Sequence, residues 1–226
     1  MTGKKTLCEE ERRKTVARGL IIEGISGSGK TSVLKALLQH KQTEKNWAHS
    51  QLVLTEYHTQ RVLEGKEQQG SLEPGDHLAL LEELVAFIEG LELRRRERGW
   101  AQGAPAESDF FFVLERFHLT HVFRFPYMNW EMVKPLDQRL KNLNAAIILL
   151  TVKAKILEKR LFARRHACWL NYLHRYGSTP AAIVDTFMQR QQLAVDLAAR
   201  SSLPVITIDT SRKTPAEAAG IILAQL

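Results

Sequence analysis

The feature that most constrains this chain is the nine-residue stretch 24–32, which reads GISGSGKTS. It fits the pattern G-x-x-x-x-G-K-[ST] at every fixed position. Residues 19–23 (GLIIE) are suited to a buried parallel strand, and the residues that follow the motif have apolar side chains at helical spacing. Because the motif requires a strand, a glycine loop and a helix in this order, we interpret residues 24–32 as a phosphate loop rather than a chance turn.

The residue types explain how the phosphate loop would hold an anion. Glycines let backbone N–H groups approach phosphate oxygens, and the positive end of the next helix points at the same place. Lys30 can then reach the β- and γ-phosphates of a nucleoside triphosphate, and the Thr31 hydroxyl can bind Mg²⁺. The residues expected to contact ATP here are Gly24, Ser26, Gly27, Ser28, Gly29, Lys30, Thr31 and Ser32.

The length of 226 residues and the hydrophobic fraction of 44% fit one α/β domain at 18–226 after a polar leader at 1–17. Cys8 and Cys168 match no zinc or redox spacing, no signal peptide is visible, and the apolar run 145–152 is too short to cross a bilayer. We therefore expect a cytoplasmic protein without a membrane partner. The sequence leaves the oligomeric state open, with a homodimer among the alternatives.

The formal net charge of +7 could indicate nucleic-acid binding. The basic residues are not gathered in one tract, however, and the densest cluster, residues 94–98, ends a predicted helix whose dipole it complements. A polyphosphate site also needs a positive field. Nucleic acid is therefore the partner that we rank last.

Short apolar runs alternate with helical patterns along the chain. This order predicts a three-layer α/β/α fold with a five-stranded parallel sheet covered on both faces. The predicted strands are 19–23, 51–56, 110–114, 145–152 and 203–208. The predicted helices are 32–39, 76–98 with Asp76 as its N-cap, 135–144, 155–175, 180–201 capped by Thr179, and a last one capped by Thr214, while 65–75 is predicted to be a loop.

Two acidic residues at predicted strand ends are candidates for catalysis, because ligands of parallel α/β sheets lie beyond the carboxyl ends of the strands. Glu115 follows an apolar run, at a place where a carboxylate commonly holds Mg²⁺. Glu56 could act as the base that accepts the proton of an acceptor hydroxyl. The alternative for each is a strand-end acid that faces solvent.

A basic helical segment follows the fourth predicted strand. Arg160 and Arg164 lie four residues apart and share a helix face, with Arg165 beside them. Arginines on a mobile segment can stabilise the charge that develops on a γ-phosphate while they exclude water. We expect at least one of the three to act in this way, against the alternative of a solvated basic face.

Histidines and aromatic residues follow Glu115. His118 and His121 lack further ligands at a recognisable zinc spacing, so we reject a zinc site and expect them to line an acceptor pocket or to pack. Several aromatic side chains could stack a base or form plain core. They are Phe117, Phe123, Phe125, Tyr127 and Trp130.

The order of these motifs resembles the nucleoside and nucleotide kinases, in particular the branch that holds the thymidylate kinases and deoxynucleoside kinases. Residues 114–120 (LERFHLT) are similar to the Glu-Arg-Ser segment of deoxynucleoside kinases and the Asp-Arg-Tyr segment of thymidylate kinases. The resemblance implies that Glu115 serves Mg²⁺ or acceptor binding and that Arg116 contacts the acceptor or the transferred phosphate. It also places Glu56 where deoxynucleoside kinases have their base.

Two later segments extend the resemblance. Residues 147–164 are similar to the strand, helix and lid of these enzymes, which implies a helical lid at about 155–178 with Arg160 and Arg164 as its arginines. Residues 205–211 (VITIDTS) resemble the last strand and the loop that cups adenine, which implies that Asp209 lies beside ATP. The chain departs from the branch after the second predicted strand, where neither Arg-Glu-Pro-Gly nor Glu-Pro is present, and at Phe117, which replaces Ser or Tyr.

The sequence therefore predicts a Mg²⁺-dependent kinase that transfers the γ-phosphoryl group of ATP to a nucleoside, nucleotide or related small molecule. The expected catalytic residues are Lys30, Glu56, Glu115, Arg116, Arg160 and Arg164, and the expected metal-binding residues are Thr31 and Glu115. The alternatives are a kinase for a non-nucleotide metabolite or antibiotic and a non-catalytic ATP-binding protein. Since the departures from the branch fall on the acceptor side, the sequence does not identify the acceptor.

Overall fold

The computed structural model describes residues 18–41, 50–97, 110–163 and 166–225. Within these ranges, a five-stranded parallel sheet has the strand order β2-β3-β1-β4-β5. The strands are β1 Gly19–Glu23, β2 Ser50–Leu54, β3 Phe110–Glu115, β4 Ala145–Thr151 and β5 Val205–Asp209. The prediction of a five-stranded parallel sheet is therefore confirmed.

Helices connect and cover the strands. They are α1 Lys30–Lys41, α2 Glu56–Thr59, α3 Glu64–Gln69, α4 Pro74–Glu97, α5 His118–Arg124, α6 Trp130–Asn142, α7 Ala154–Phe162, α8 Ala167–His174, α9 Pro180–Arg200 and α10 Pro215–Leu223. A short 3₁₀ turn, Arg61–Leu63, joins α2 to α3. In the described part of the chain, no helix combines the length and the apolar character that a membrane span requires.

Successive side chains along each strand point to opposite faces of the sheet, so each face has a separate hydrophobic core. On one face, Leu20 and Ile22 of β1 pack against α1 and α10. On the other face, Ile21 belongs to a larger core with side chains from α4, α5, α6, α7 and α9. The result is the expected three-layer α/β/α arrangement.

The position of β1 in the middle of the sheet decides where the site forms. Ile22 is in register with Glu115 of β3, and Glu23 is in register with Leu149 of β4. The chain that leaves β1 forms α1 on one face, whereas the chains that leave β3 and β4 form α5 and α7 on the other face. Connections that diverge in this way leave a crevice at the carboxyl ends of the strands, where ligands of such sheets bind.

Both predicted helix caps with proline at the first helical position are confirmed. Thr179 accepts a hydrogen bond from the backbone N–H of Ala182 (3.2 Å) at the start of α9. Thr214 and Glu217 form a capping box at the start of α10. These local signals were readable because each cap binds within its own helical turn.

The prediction that strand β2 extends to Glu56 is wrong, because the strand ends at Leu54 and Glu56 begins α2. Among the described strands, β2 lies at the edge of the sheet and pairs with β3 alone, and its last partner is Leu114. Beyond that point Arg116 turns back with a φ of 57° and donates its N–H to Ile22 O (3.0 Å). Without a strand partner, the chain after Leu54 turns into a helix instead.

Two boundaries near Gly70 and Pro74 also differ from the sequence prediction. Residues 64–69 are helical rather than loop, and α3 ends at Gly70, which takes the left-handed conformation (φ 67°). Helix α4 begins at Pro74, so Asp76 lies in its first turn and is not its N-cap.

The other two differences concern longer segments. Helix α6 begins at Trp130, where the Asn129 side chain accepts from Met132 N (3.3 Å), and Pro135 lies inside it. The basic segment predicted at 155–175 contains α7 and α8, between which residues 164 and 165 lie outside the described ranges.

Replacing Leu149 with Ala should lower the free energy of unfolding by about 2–5 kcal/mol, because Leu149 is 1% exposed in the central strand β4 and the change leaves a cavity. Urea unfolding measures the loss. Leu193→Ala, at a position that is 42% exposed on α9, is the matched control and should change stability by no more than about 0.5 kcal/mol. Equal losses for the two variants would contradict this description of the core.

Candidate active site

The phosphate loop leaves β1 in a conformation that depends on glycine. Gly24 has a φ of 138° and Gly27 a φ of 83°, values that side chains disfavour. A Cβ at Gly24 would lie 2.4 Å from the carbonyl oxygen of Leu150, and one at Gly27 would lie 2.8 Å from Leu157 Cδ1. The loop therefore packs directly against the end of β4 and against α7.

Lys30, the first residue of α1, is buried at 3% exposure and folds back over the loop. Its Nζ donates to the carbonyl oxygens of Gly24 (2.6 Å) and Ile25 (2.8 Å). Burial, followed by the nearby Arg116 charge, holds the pKa of Lys30 well below its usual value, and Glu115 opposes this shift. Since an ammonium group has three N–H donors, one remains for a phosphate oxygen.

Thr31, the next residue, joins the start of α1 to the end of β3. Thr31 Oγ1 donates to Glu115 Oε1 (2.7 Å), which brings the start of α1 against the end of β3. Glu115 is 1% exposed, and its second oxygen, Oε2, is buried without a hydrogen-bond partner among the described residues. A buried carboxylate oxygen without a partner is an unsatisfied acceptor, which a cation or a donor would satisfy.

Arg116 and Glu56 are also brought together. Arg116 Nε lies 2.5 Å from Glu56 Oε2, and Arg61 Nη1 lies 3.8 Å from the other Glu56 oxygen. The left-handed backbone at Arg116 is costly for a residue with a side chain, and such strain is found most often at functional sites. Glu56 is therefore held by arginine near the loop rather than free in solvent.

On the opposite side of the loop, Arg160 and Thr210 hold the backbone. Arg160 Nη1 donates to Gly27 O (3.1 Å) and to Thr210 Oγ1 (2.9 Å), and Nη2 donates to Thr210 O (2.7 Å). Thr210 Oγ1 lies 2.8 Å from the carbonyl oxygen of Ser28. Burial lowers the pKa of Arg160. Arg160 thus contacts the loop backbone, and Arg164 lies outside the described residues.

The other residues predicted to contact ATP lie in the loop, at the start of α1 and at the end of β5. Ser26 and Ser28 are buried, whereas Thr31 and Ser32 are exposed at the start of α1. Asp209 ends β5, and its Oδ1 accepts from the backbone N–H of Ser211 (2.8 Å). Hydrogen bonding by Ser211, first from its side chain and then from its backbone N–H, lowers the pKa of Asp209. Asp209 therefore shapes the turn after β5.

Glu23 is part of the site and was missed in the sequence. It is fully buried at the end of β1, immediately before the loop. Its carboxylate accepts from the backbone N–H groups of Phe117 (3.1 Å) and Leu119 (3.1 Å) and from the Thr120 hydroxyl. Burial raises the pKa of Glu23. An acid at the end of an otherwise apolar strand was the signal that could have identified it.

His118 contacts an aspartate on α6. It is fully buried, and its Nε2 lies 3.2 Å from Asp137 Oδ1 on α6. Asp137 in turn accepts from the hydroxyls of Ser201 (2.5 Å) and Ser202 (2.8 Å) after α9. Of the two roles considered for this histidine, packing is the one that its surroundings fit.

His121 belongs to a hydrogen-bonded chain that includes a second buried histidine, His77 on α4. His121 Nε2 lies 2.9 Å from Thr59 O, the two histidine Nδ1 atoms are 2.8 Å apart, and His77 Nε2 lies 3.0 Å from the Tyr127 hydroxyl. A carbonyl only accepts, so His121 donates through Nε2 and accepts at Nδ1. His77 then donates through Nδ1 and accepts at Nε2, which makes Tyr127 the donor at the far end.

Both histidines of this chain are neutral. Burial lowers the pKa of His77 to about 4 and that of His121 to about 3. The hydrogen bonds also exclude a doubly protonated pair, since two imidazolium rings would place N–H against N–H.

A pocket of about 380 Å³ lies between α3, α5 and the α8–α9 region. Its lining includes Glu67, Arg124, Tyr127, Tyr176 and Arg190. The volume lies within the range of small-molecule sites. A narrow gap, which is lined by Ser26 of the loop and also by Arg124 and Arg190, adjoins this pocket.

No protein-family model matches the sequence, and no curated protein matches it either. Solved structures do match. The YorR protein of Bacillus subtilis in complex with phosphorylated GDP is 13% identical, with a TM-score of 0.53, and the match covers 91% of this chain and 94% of that one. An unliganded sugar kinase from Janibacter is 14% identical, with a TM-score of 0.51, and the match covers 93% and 94%. The fold resembles that of the P-loop kinases.

The structure thus gathers most of the residues that the sequence singled out. Lys30, Thr31, Glu115, Arg116 and Glu56 are linked by direct contacts or by charge around the phosphate loop. The residues that the sequence did not indicate are Arg124 and Arg190, which line the pocket, and His77, which contacts the pocket residue Tyr127. They lie on three different helices, so no local pattern could have found them.

The histidine pair should make the protein sensitive to acid. Because the folded-state pKa values lie below the ordinary value of about 6.5, the unfolded chain binds more protons below that pH. The free energy of unfolding should therefore fall by about 1.4 kcal/mol per pH unit for each histidine between pH 6.5 and about 4.

His121→Gln tests this prediction, since its amide N–H can still donate to Thr59 O while one titrating group is removed. Urea unfolding across this pH range should show a slope reduced by about 1.4 kcal/mol per pH unit. His174→Gln, the same change at an exposed position on α8, is the control. An unchanged slope in His121→Gln would show that His121 is not held neutral.

Proposed function

We propose that this protein is an ATP- and Mg²⁺-dependent kinase that transfers the γ-phosphoryl group to a nucleoside, a nucleotide or a related small molecule. One observation carries the proposal: a buried lysine, a Thr31–Glu115 hydrogen bond and Arg116 surround a glycine loop, and a gap lined by Ser26 of this loop shares two arginines with a pocket. A loop that only bound nucleotide would not need the pocket. A phosphoryl transfer needs both a donor site and an acceptor site next to each other.

The donor side follows from the loop. Its backbone N–H groups and the start of α1 would bind the β- and γ-phosphates, and the free N–H of Lys30 would donate to them. Arg160 and Thr210 keep the carbonyls of Gly27 and Ser28 turned away from the phosphates by binding them from behind. Asp209, at the turn after β5, is proposed to lie beside adenine.

Thr31 and Glu115 are the residues that would hold Mg²⁺. Both present oxygen atoms, which are the ligands that Mg²⁺ prefers, and Glu115 Oε2 is buried without a partner among the described residues. No group of three or more His, Cys, Asp or Glu side chains that could hold a metal occurs in the described ranges, which suits an ion that binds mainly to phosphates and water. When bound, Mg²⁺ neutralises charge on the β- and γ-oxygens.

Arg116 is proposed to contact the phosphoryl group in transfer, because its charge is close enough to Lys30 to depress the pKa of that group. Glu56 is the proposed base for a hydroxyl acceptor, and its ion pair with Arg116 would hold it in place. Arg164 remains a candidate for the lid. We also propose that the protein belongs to the thymidylate and deoxynucleoside kinase branch, on the basis of the Glu115–Arg116 segment.

ADP release across a panel of nucleosides, nucleotides, sugars and other hydroxylated metabolites tests the proposal. At least one acceptor should be turned over, and Lys30→Met should lower kcat by at least about 100-fold, because it removes a donor to the transferring group. Lys35→Met, the same change at an exposed position on α1, should leave the rate unchanged. A thermal shift with ATP but no turnover of any acceptor would instead indicate a non-catalytic nucleotide binder.

The metal assignment has its own test. Glu115→Gln keeps an acceptor for Thr31 Oγ1 but removes the negative charge, so binding of Mn²⁺ with ADP, followed by electron paramagnetic resonance, should weaken by about 10- to 100-fold. Glu83→Gln changes an exposed acid on α4 in the same way and should have no effect. Equal Mn²⁺ affinity in both variants would exclude Glu115 as a metal-binding residue.

A further inference from the structure

Two arginines link the phosphate loop to the pocket. Arg124 at the end of α5 and Arg190 on α9 line both the 380 Å³ pocket and the narrow gap beside Ser26. The pocket and the gap thus share these two arginines, and we refer to the space that they line as the path between the pocket and the loop. Arg116 lines the gap as well, so three arginines line this path.

The positive charge along this path is only partly compensated. Arg116 is paired with Glu56, and Arg124 Nη2 donates to Glu67 (2.9 and 3.1 Å). Arg190 lies over the Tyr176 ring (4.5 Å) and donates to Arg124 O (3.3 Å), and in the described part of the chain it forms no ion pair. Arg124 is 10% exposed, and its Nε is buried without a partner among the described residues.

Charged donors in this state favour an anionic ligand. A buried cationic N–H without a partner costs free energy that a bound carboxylate or phosphate would recover. Tyr172 adds a neutral donor at the gap, because burial raises its pKa to about 12 and its hydroxyl already accepts from Tyr176 (3.1 Å), so its own proton is free.

We propose that Arg124 and Arg190 form an anion-binding site where the pocket meets the phosphate loop, so that the phosphoryl acceptor is a small molecule that carries a carboxylate or phosphate group. This inference rests on the proposed kinase function, since it identifies the chemical class of the acceptor. It assigns to these two arginines the role of selecting the acceptor.

Two other residues of the pocket lining present hydrogen-bond acceptors. Tyr127 uses its proton to donate to His77 Nε2, so the Tyr127 oxygen can only accept a hydrogen bond from a ligand. Glu67, on the same lining, also accepts. The acceptor should therefore carry a hydroxyl or N–H group in addition to its anionic group.

ADP release from pairs of acceptors that differ in one anionic group tests the inference. The pairs are nucleosides and their 5′-monophosphates, sugars and their phosphates, and hydroxy acids and their amides, so that the phosphate and carboxylate cases are distinguished. Only the anionic members should be turned over. Arg190→Gln should raise KM for that acceptor by about 10- to 100-fold with little change in KM for ATP.

Arg200→Gln is the matched control, because Arg200 lies on the same helix but pairs with Glu131 at an exposed position. It should leave both KM values unchanged. Turnover of neutral members in preference to anionic ones would overturn the inference while the kinase function stands. So would an Arg190→Gln enzyme whose KM for the acceptor is unchanged.

A binding measurement does not depend on turnover. Titration of inorganic phosphate into the protein saturated with ADP, followed by calorimetry, should show binding that is weakened about 10-fold or more in Arg190→Gln and unchanged in Arg200→Gln. Arg190-dependent phosphate binding without turnover of any acceptor would keep the anion site and reject the kinase proposal. Phosphate binding that is equal in the two variants would overturn the anion site.

Discussion

The ammonium group of Lys30 carries a positive charge in the interior of the protein, and much of the site follows from the need to stabilise it. A buried charge costs several kcal/mol unless hydrogen bonds and opposite charges compensate it. The carbonyls of Gly24 and Ile25 supply two of the hydrogen bonds, and Glu115 supplies nearby negative charge. Burial and, after it, the Arg116 charge still hold the pKa of Lys30 well below its usual value, so the compensation is incomplete. A bound polyphosphate would complete it, which is why this arrangement suits a phosphate site.

The loop around Lys30 is held by three other strand ends. Thr31 is tied to Glu115 of β3, the carbonyl of Ser28 is tied to Thr210 after β5, and Gly24 packs on Leu150 of β4. Each of these contacts needs the parallel sheet to be complete, because the strands that supply them are distant in sequence. Glu23 serves the other side of the crevice, where it holds the segment after Arg116 by its backbone N–H groups. The donor and acceptor sides are thus joined at the end of β1.

The parts of the fold that could be predicted from sequence are those with local causes. The strand before the loop, the loop itself and the caps at Thr179 and Thr214 depend on residues a few positions apart. The predictions that failed depended on distant partners or on a glycine that ends a helix and was taken for part of a loop. Strand β2 ends early because β3 turns away after Glu115, and Gly70 ends a helix where it was interpreted as part of a loop. Glu56 therefore reached the site from a helix rather than from a strand.

The sequence by itself determined the phosphate loop, because glycine, lysine and threonine act there through backbone conformation and through reach from adjacent positions. It also placed Glu115 at a strand end beside that loop. Only the tertiary structure decided the lining of the pocket and its surroundings. Arg124 and Arg190 come from helices α5 and α9, and the His77–His121 pair, which joins α4 to α5, reaches the pocket through the Tyr127 hydroxyl. Side chains from separate helices meet because the sheet stacks those helices on one face, and no spacing along the chain records that meeting.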